Sequence, residues 1–177
     1  TKYEEAMCAS TGIDIYGEKL VVVYMAKRVK PKHIENPLQV SAYKYPDIYG
    51  RKPPSFARGS MILDGKKSIL YVSGTASVRG AESFACGDVD EQLSTIIGNI
   101  QEVLNRANIR IDDNISMESI VYIRDKDRSE YVAGWLEENA PMINVNSILL
   151  ARVCRENLEV EIESRIRGIS LHECGAH

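Results

Sequence analysis

Three glutamates alternate with apolar residues near the end of this 177-residue chain, shortly after a Cys154-Arg155 pair. In NLEVEIES, Glu159, Glu161 and Glu163 fall on one face of an extended strand, and the apolar residues fall on the other. Neighbouring carboxylates repel each other and raise one another's pKa. A carboxyl that keeps its proton near neutral pH serves as a general acid. The pattern therefore predicts either a solvated strand face, favoured for Glu159 and Glu163, or a proton-transfer site.

A tyrosine-rich segment is a second source of useful chemistry. The chain has nine tyrosines against two phenylalanines, and Tyr43, Tyr45 and Tyr49 lie within SAYKYPDIYG. Tyrosine adds a hydroxyl that packing alone does not require. The segment predicts either plain packing or the wall of a polar pocket.

Small residues mark the end of a predicted strand in SGTAS. Gly74, Thr75 and Ala76 leave space for a close approach of the backbone to another group. A turn without a ligand explains the same residues equally well.

Composition limits the classes of function. The chain is 44% hydrophobic and 27% charged, with a net charge of −3, which is typical of a soluble globular protein without a nucleic-acid footprint. No apolar run approaches the roughly 20 residues of a membrane span, and the first residues do not resemble a secretory signal. We therefore expect a cytoplasmic protein that binds neither nucleic acid nor membrane.

The cysteines and histidines do not predict a metal site. Cys8, Cys86, Cys154 and Cys174 are widely separated in the sequence, and only three histidines are present. This spacing lacks the paired ligands of a zinc site. Free thiols in a reducing compartment are the default, and we predict no metal and no cofactor.

The periodicity of apolar residues predicts an α+β fold. A long amphipathic helix should cover a mixed, mostly antiparallel sheet, and Asp64-Gly65 is a strong hairpin signal. The predicted elements are strands at 18–26 (buried), 38–46, 56–63 and 68–77, a helix at 88–109, a strand at 119–124, a helix at 127–139, and a last pair of strands in 146–153 and 157–164.

The order of the motifs resembles the YjgF/YER057c/UK114 superfamily. The segments that carry this resemblance lie between residues 71 and 164: YVSGTASVRG, GDVDEQLSTIIGNIQEVL, IVYIRD and CRENLEVEIES. Upstream, GEKLVVVYMA, ENPLQVSAYKYPDIYG and PPSFARGSMI resemble the chorismatases, which hydrolyse chorismate. The chain resembles the C-terminal half of such an enzyme. Residues 1–56 are similar to the segment between its halves, and residues 57–177 to its YjgF-like domain, with both expected in one compact unit.

The resemblance implies roles for the residues of the last strand. Glu161 matches the acid that protonates the methylene carbon of the enolpyruvyl ether, after which water captures the oxocarbenium-like centre and the hemiketal yields pyruvate and a ring alcohol. Cys154 matches a position that faces the substrate ring. A cysteine there resembles the members that release a hydroxybenzoate rather than a dihydroxy-cyclohexadiene acid. A small buried apolar residue is the alternative for Cys154.

Chorismate is a dianion, and arginine supplies the fork geometry that binds carboxylates. The resemblance therefore implies substrate-binding roles for Arg58, Arg124 and Arg155, each of which is otherwise a surface charge. The remaining implied pocket residues are Tyr45, Tyr49, Gly74, Thr75 and Ala76. Superfamily members commonly form trimers, which implies a homotrimer or an association with an N-terminal half.

Two departures from the chorismatase pattern lie close to the expected pocket. Ala81 replaces a histidine after SVRG, and Glu159 replaces a leucine of the terminal motif. These changes keep open a non-catalytic ligand-binding or architectural role. A second alternative is an enamine or imine deaminase of the superfamily, but Asn146 stands in the region where such enzymes carry an arginine.

Overall fold

The structure is a computed structural model that describes residues 7–64, 67–110 and 115–170. Strands and helices alternate along the second half of the chain. In chain order the elements are β1 (Lys32–Ile34), β2 (Gly59–Asp64), β3 (Lys67–Ala76), β4 (Val78–Arg79), β5 (Glu82–Ser83), α1 (Val89–Ala107), β6 (Ser116–Ile123), α2 (Ser129–Asn139), β7 (Asn144–Leu150) and β8 (Val160–Ser170).

Six of these strands form one sheet in the order β1-β2-β3-β8-β6-β7, and β4 pairs with β5 in a small hairpin. All neighbours in the large sheet are antiparallel except β6 and β7, which run parallel through the α2 crossover. The C-terminal strand β8 thus lies at the centre of the sheet, between β3 and β6. The predicted α+β class is confirmed.

Helix α1 begins and ends where its sequence signals lie. The Asp88 carboxylate accepts a hydrogen bond from the backbone N–H of Glu91, and Asn108 closes the helix in the left-handed region at φ 59°. Both are common capping arrangements. The helix buries one face, including Leu93, Ile96 and Ile100, as its apolar period predicts.

Both helices cover the same face of the sheet. Leu93 and Ile96 of α1 and Leu136 of α2 belong to one buried cluster with Val121 of β6 and Ile162 of β8. This cluster is the core of the described part of the chain. Within the described residues, neither α1 nor α2 has the length and apolar composition of a membrane span.

The predicted buried strand at 18–26 is wrong. No described strand pairs with this segment, and Leu20, Val23 and Tyr24 are 90%, 91% and 84% exposed. A run of β-branched residues favours a strand only when a neighbouring strand and a covering surface are available. No described element supplies either.

The predicted strand at 38–46 is also wrong. Residues Ala42–Lys44 form a single 3-10 turn, and Gln39 makes only an isolated bridge to Gly80. The Gln39 side chain is buried and donates to the carbonyl of Val78. The alternating pattern therefore does not mark a sheet face, because the buried residue is the polar Gln39, whose side chain is held by a hydrogen bond.

The hairpin prediction is confirmed in its strands, since β2 and β3 pair antiparallel up to Asp64 and Lys67. Its turn lies outside the described residues. The last two strands are both present, but they do not pair with each other. Strand β7 lies at the sheet edge and β8 at the centre, with β6 between them.

Candidate active site

Glu161 lies on the face of β8 that points away from both helices. Its neighbours Val160 and Ile162 belong to the helix-covered core, so alternation places the glutamate on the opposite face. In register it stands between Ala76 of β3 and Tyr122 of β6. Glu161 is only 5% exposed, so this carboxyl does not lie on a solvated strand face.

The absence of a side chain at Gly74 makes room for the Glu161 carboxyl. A Cβ atom built on Gly74 would lie 2.0 Å from Oε1 of Glu161 and 2.7 Å from Cγ2 of Thr11. Real Cβ atoms do not approach other atoms so closely. The close approach expected for the small residues of SGTAS is therefore an approach to the candidate acid itself.

The N-terminal segment 7–12 covers the part of the sheet that contains Glu161, on the face that points away from both helices. We call this face the outer face. Its backbone N–H groups at Ala9 and Ser10 donate to the hydroxyls of Ser60 and Ser73, at 2.7 and 2.9 Å. The hydroxyl of Thr11 accepts from the N–H of Gly74 at 2.9 Å. Side-chain hydroxyls thus fasten an irregular segment across β2 and β3, beside Glu161.

The pKa of Glu161 is raised to about 7, chiefly by burial under this cover and also by the nearby Glu163 carboxylate, while Arg58 opposes the shift. Burial disfavours the charged form of any carboxyl. Among the described residues, no hydrogen bond to the Glu161 carboxyl offsets this effect. Near neutral pH a large fraction of this side chain carries its proton.

Arg58 brings a buried positive charge to the same place. The residue is 6% exposed, and one Nη donates to the carbonyl of Val40 and to the hydroxyl of Tyr45, at 3.1 and 2.6 Å. Its buried Nε has no partner among the described residues. An unpaired buried donor is costly, so a ligand oxygen would satisfy it.

Arg155 is held from the side of the tyrosine-rich segment. Its guanidinium lies 3.9 Å from the ring centre of Tyr49 and 5.3 Å from that of Tyr45. One Nη donates to the hydroxyl of Ser83 at 3.3 Å. At these distances the guanidinium makes cation–π contacts with both rings.

Cys154 lies beside Arg155 as a free thiol and is exposed as a residue. Partial burial of its sulfur and the neighbouring Glu161 carboxylate raise the pKa of the Cys154 thiol. Such a thiol stays protonated near neutral pH and is a poor nucleophile. Its location suits contact with a ligand better than covalent catalysis.

These residues meet around one cavity of about 240 Å³. Of the residues singled out in the sequence, those that line it are Arg58, Tyr45, Gly74, Ala76, Cys154, Arg155 and Glu161. A cavity of this size with two guanidinium groups and one protonatable carboxyl can hold a small anionic molecule and transfer a proton to it.

Three predicted site residues do not line the cavity. Among the residues that the structure describes, Arg124 donates to backbone carbonyls and to no side chain. Tyr49 lies behind Arg155 and donates to the Glu82 carboxylate at 2.6 Å. The hydroxyl of Thr75 donates to the carbonyl of Ser73, and Thr75 pairs in register with Ile162 of the helix-covered face.

Other lining residues were not found from the sequence. Ser10 and Gly12 come from the N-terminal segment, and Phe56 from the stretch before β2. Phe56 lies two residues before Arg58 in SFARG, so the motif pointed to its neighbourhood. Nothing in the local sequence of 7–12 indicates that it folds over β3, because the hydroxyls that hold it are distant in the chain.

Sequence comparison finds relatives over most of the chain. It is similar to a chorismatase of Streptomyces hygroscopicus, at 29% identity over 168 residues and 90% of the chain. It is also similar to a 3-hydroxybenzoate synthase of the same organism, at 35% identity over 88% of the chain. The alignments cover 49% of each relative, so the chain spans about half the length of the curated relatives it matches. No family model matches the chain.

Structural comparison confirms the fold. A chorismatase crystal structure superposes with a TM-score of 0.74 at 24% identity, covering 92% of this chain and 52% of that protein. The YjgF protein of E. coli matches with a TM-score of 0.52 at 17% identity, covering 76% of this chain and 96% of that protein. The resemblance inferred from the motifs is therefore confirmed, and the sheet with its two helices is the arrangement found in those proteins.

Proposed function

We propose that this cavity binds chorismate and that Glu161 catalyses hydrolysis of its enolpyruvyl ether. One observation carries the proposal: a carboxyl with a pKa of about 7 lies in the same small cavity as the guanidinium groups of Arg58 and Arg155. General-acid catalysis at neutral pH requires a pKa in this range. A dianionic substrate requires cations beside the acid.

The chemistry begins with transfer of the Glu161 proton to the methylene carbon of the enol ether. The π electrons form the new C–H bond, and the adjacent carbon becomes an oxocarbenium-like centre. Water adds to this centre and returns a proton to the Glu161 carboxylate. The resulting hemiketal breaks its bond to the ring oxygen, which takes up a proton, and the products are pyruvate and a ring alcohol.

The charges of the cavity support this step in two ways. Arg58 and Arg155 attract the two carboxylates of the substrate, and Arg58 carries a buried N–H without a partner among the described residues. After proton transfer, the Glu161 carboxylate and the cationic reaction centre attract each other. Because the site is largely shielded from water, this attraction is stronger than it would be in bulk solvent.

We assign the ring product as a hydroxybenzoate. This product requires that the dihydroxy-cyclohexadiene acid released by the hydrolysis loses one molecule of water: its second ring hydroxyl leaves together with the hydrogen on the carbon that bears the remaining hydroxyl, and the ring becomes aromatic. The support is Cys154 at the cavity wall together with the 35% identity to a protein named 3-hydroxybenzoate synthase. A small thiol leaves room for the ring beside Ala76 and Gly74. Arg124, Tyr49 and Thr75 support the site from outside the cavity in this proposal.

The test is incubation of the chain with chorismate, with separate detection of pyruvate and of aromatic acids. Glu161→Gln should lower the rate of pyruvate release by about 10²–10⁴-fold, the usual contribution of a general acid. Glu118→Gln, on the same sheet face but distant along the strands, is the matched control and should retain full activity. An imino-acid substrate assayed in parallel tests the deaminase alternative.

Absence of pyruvate from the chain, both alone and mixed with the remaining half of a chorismatase relative, would reject the proposal. We also expect a homotrimer or an association with such a half, because the apolar segment 20–25 is exposed in the single chain. Light scattering that shows a stable monomer would contradict that expectation.

A further inference from the structure

The loop between β7 and β8 carries two of the residues that line the cavity. Cys154 and Arg155 face the pocket, whereas Val153 and Leu158 are buried in a small cluster with Ala76 and Val78. Within the described residues 153–159, backbone–backbone hydrogen bonding is limited to Leu158 N–H donating to the Arg155 carbonyl, at 3.1 Å. The loop conformation therefore depends on groups from elsewhere in the chain.

Arg124 supplies the first set of these groups. It follows β6 directly, and its Nε donates to the carbonyl of Leu158 at 2.7 Å. One Nη donates to the carbonyls of Val153 and Arg155, each at 2.9 Å. Hydrogen bonds from a charged donor are stronger than neutral ones, and the planar fork fixes the relative positions of three carbonyls.

Gln92 supplies the second set from the first turn of α1. Its side chain is fully buried. The Nε2 atom donates to the carbonyl of Asn157 at 3.1 Å, and also to that of Ala85. The Oε1 atom accepts from the N–H of Glu159 at 2.9 Å. One amide thus ties the loop to the start of the helix.

Between them, Arg124 and Gln92 satisfy the carbonyls of Val153, Arg155, Asn157 and Leu158 and the N–H of Glu159. Buried backbone groups without partners are costly. Alternative loop conformations would leave several of these groups unpaired, so the two side chains select the conformation that turns Cys154 and Arg155 toward the cavity.

We propose that Arg124 and Gln92 are positioning residues that hold the 153–159 loop against the cavity, and that Arg124 acts through the loop rather than by contact with the substrate. This inference rests on the proposed function for its catalytic consequence. Its structural part stands on the hydrogen bonds alone and is measurable without any substrate.

The test compares Arg124→Lys and Gln92→Met with two controls. Lysine keeps the charge of Arg124 but cannot span three carbonyls, and methionine keeps the approximate size of Gln92 without its polar atoms. Arg155→Lys removes the guanidinium of the cavity without disturbing the carbonyls. Arg128→Lys changes an exposed arginine near the end of β6 and should change nothing.

The first readout is the alkylation rate of Cys154, with the exposed Cys8 and Cys86 as internal references. Release of the loop should move the thiol away from Glu161 and into water, which lowers its pKa. We expect about tenfold faster alkylation of Cys154 in both variants, the change in thiolate fraction for one pKa unit. Hydrogen exchange at the Glu159 amide should accelerate in Gln92→Met.

The second readout is the division of the effect between kcat and KM for chorismate. Both positioning variants should lower kcat by about ten- to a hundredfold, as expected for a displaced site, and should also raise KM because the released loop carries Arg155. Arg155→Lys should mainly raise KM. An Arg124→Lys protein with raised KM, unchanged kcat and unchanged Cys154 alkylation would overturn the proposal, because it would place Arg124 on the substrate.

Folding of each variant is checked by circular dichroism. If Arg124→Lys does not fold, the Gln92→Met variant alone tests the inference. Unchanged alkylation of Cys154 and unchanged hydrogen exchange at the Glu159 amide in that variant reject it. If the wild type does not turn over chorismate, the proposed function fails while the alkylation and exchange results still decide whether the loop is held as proposed.

Discussion

Two carboxyls on the outer face of the sheet show opposite behaviour. Glu161 is 5% exposed, and burial raises its pKa to about 7. Glu118, on the neighbouring strand at the other end of this face, accepts hydrogen bonds from Arg165, and these bonds hold the pKa of Glu118 below its usual value. Residue type and sheet face are the same, so neither determines the protonation state.

The difference arises from what covers each end. Near Glu161, the segment 7–12 is fastened over Gly74 by the Thr11 hydroxyl, and water is largely excluded. At Glu118 the partner is a half-exposed arginine on β8, and water reaches both side chains. A sheet face can therefore carry a proton donor at one end and an ordinary ion pair at the other.

The largest effect that this comparison predicts is a pH dependence of stability that originates at Glu161. The folded state keeps this proton up to about pH 7, whereas the unfolded carboxyl releases it at its ordinary pKa of 4.5. Stability should therefore fall as pH rises from about 4.5 to 7, by about 3 kcal/mol. Urea denaturation should show this loss in the wild type and not in Glu161→Gln. Equal pH dependence in the two proteins would contradict the assigned pKa.

The next effect concerns the space at Gly74. Alanine there places its Cβ 2.0 Å from the Glu161 carboxyl, which should cost about 1–3 kcal/mol of unfolding free energy as an overpacked site and lower pyruvate release. Gly98→Ala is the control, because nothing lies within 4 Å of its Cβ. That helical substitution should stabilise the protein by about 0.5–1 kcal/mol. A destabilised Gly98→Ala would remove the basis of the comparison.

A smaller effect is expected from Glu163, which raises the pKa of Glu161 from the same face while Arg58 lowers it. Glu163→Gln removes the repulsion and should lower the pKa of Glu161. The proton donor is then lost at lower pH, so the alkaline limb of the pH–rate profile should move to lower pH. Glu118→Gln should leave that limb in place. A shift in the opposite direction would show that Glu163 acts otherwise than by its charge.

The smallest effect is expected at the exposed end. Arg165→Gln removes the donor that lowers the pKa of Glu118, so the stability that this pair contributes above the usual carboxyl pKa disappears. The change should be slight, because solvent screens exposed pairs, and pyruvate release should not change. An NMR titration of Glu118 should show its pKa returning toward the usual value. Loss of activity in this variant would mean that the two ends of the face are coupled.

Local patterns predicted part of this molecule well. Helix α1 followed from its apolar period and from Asp88 as its cap, and the β2–β3 strands from alternation around Asp64. The same reasoning failed at 18–26, where β-branched residues indicated a buried strand but no described partner exists. β-Propensity describes how well a segment fits into a sheet once it has paired with a neighbouring strand. The pairing itself requires a partner that is distant in the sequence.

The candidate site was predicted in part, and through the motifs that resemble a known family. Glu161, Cys154, Arg155 and Arg58 were named from the sequence and line one cavity. The sequence did not indicate that Arg124 donates to backbone carbonyls, because these carbonyls belong to the 153–159 loop, about thirty residues further along the chain. Packing of residues that are distant in the sequence decides which acceptors a guanidinium reaches.

The α+β class, the long covering helix and the alternation that places Glu161 and Glu163 on one strand face follow from the sequence alone, because they depend on periods of a few residues. Which of those glutamates is buried and retains a proton follows instead from long-range packing. That outcome depends on a hydroxyl at Thr11 and a missing side chain at Gly74, which the fold brings to Glu161 from two distant parts of the chain, and it persists against the opposing charge of Arg58.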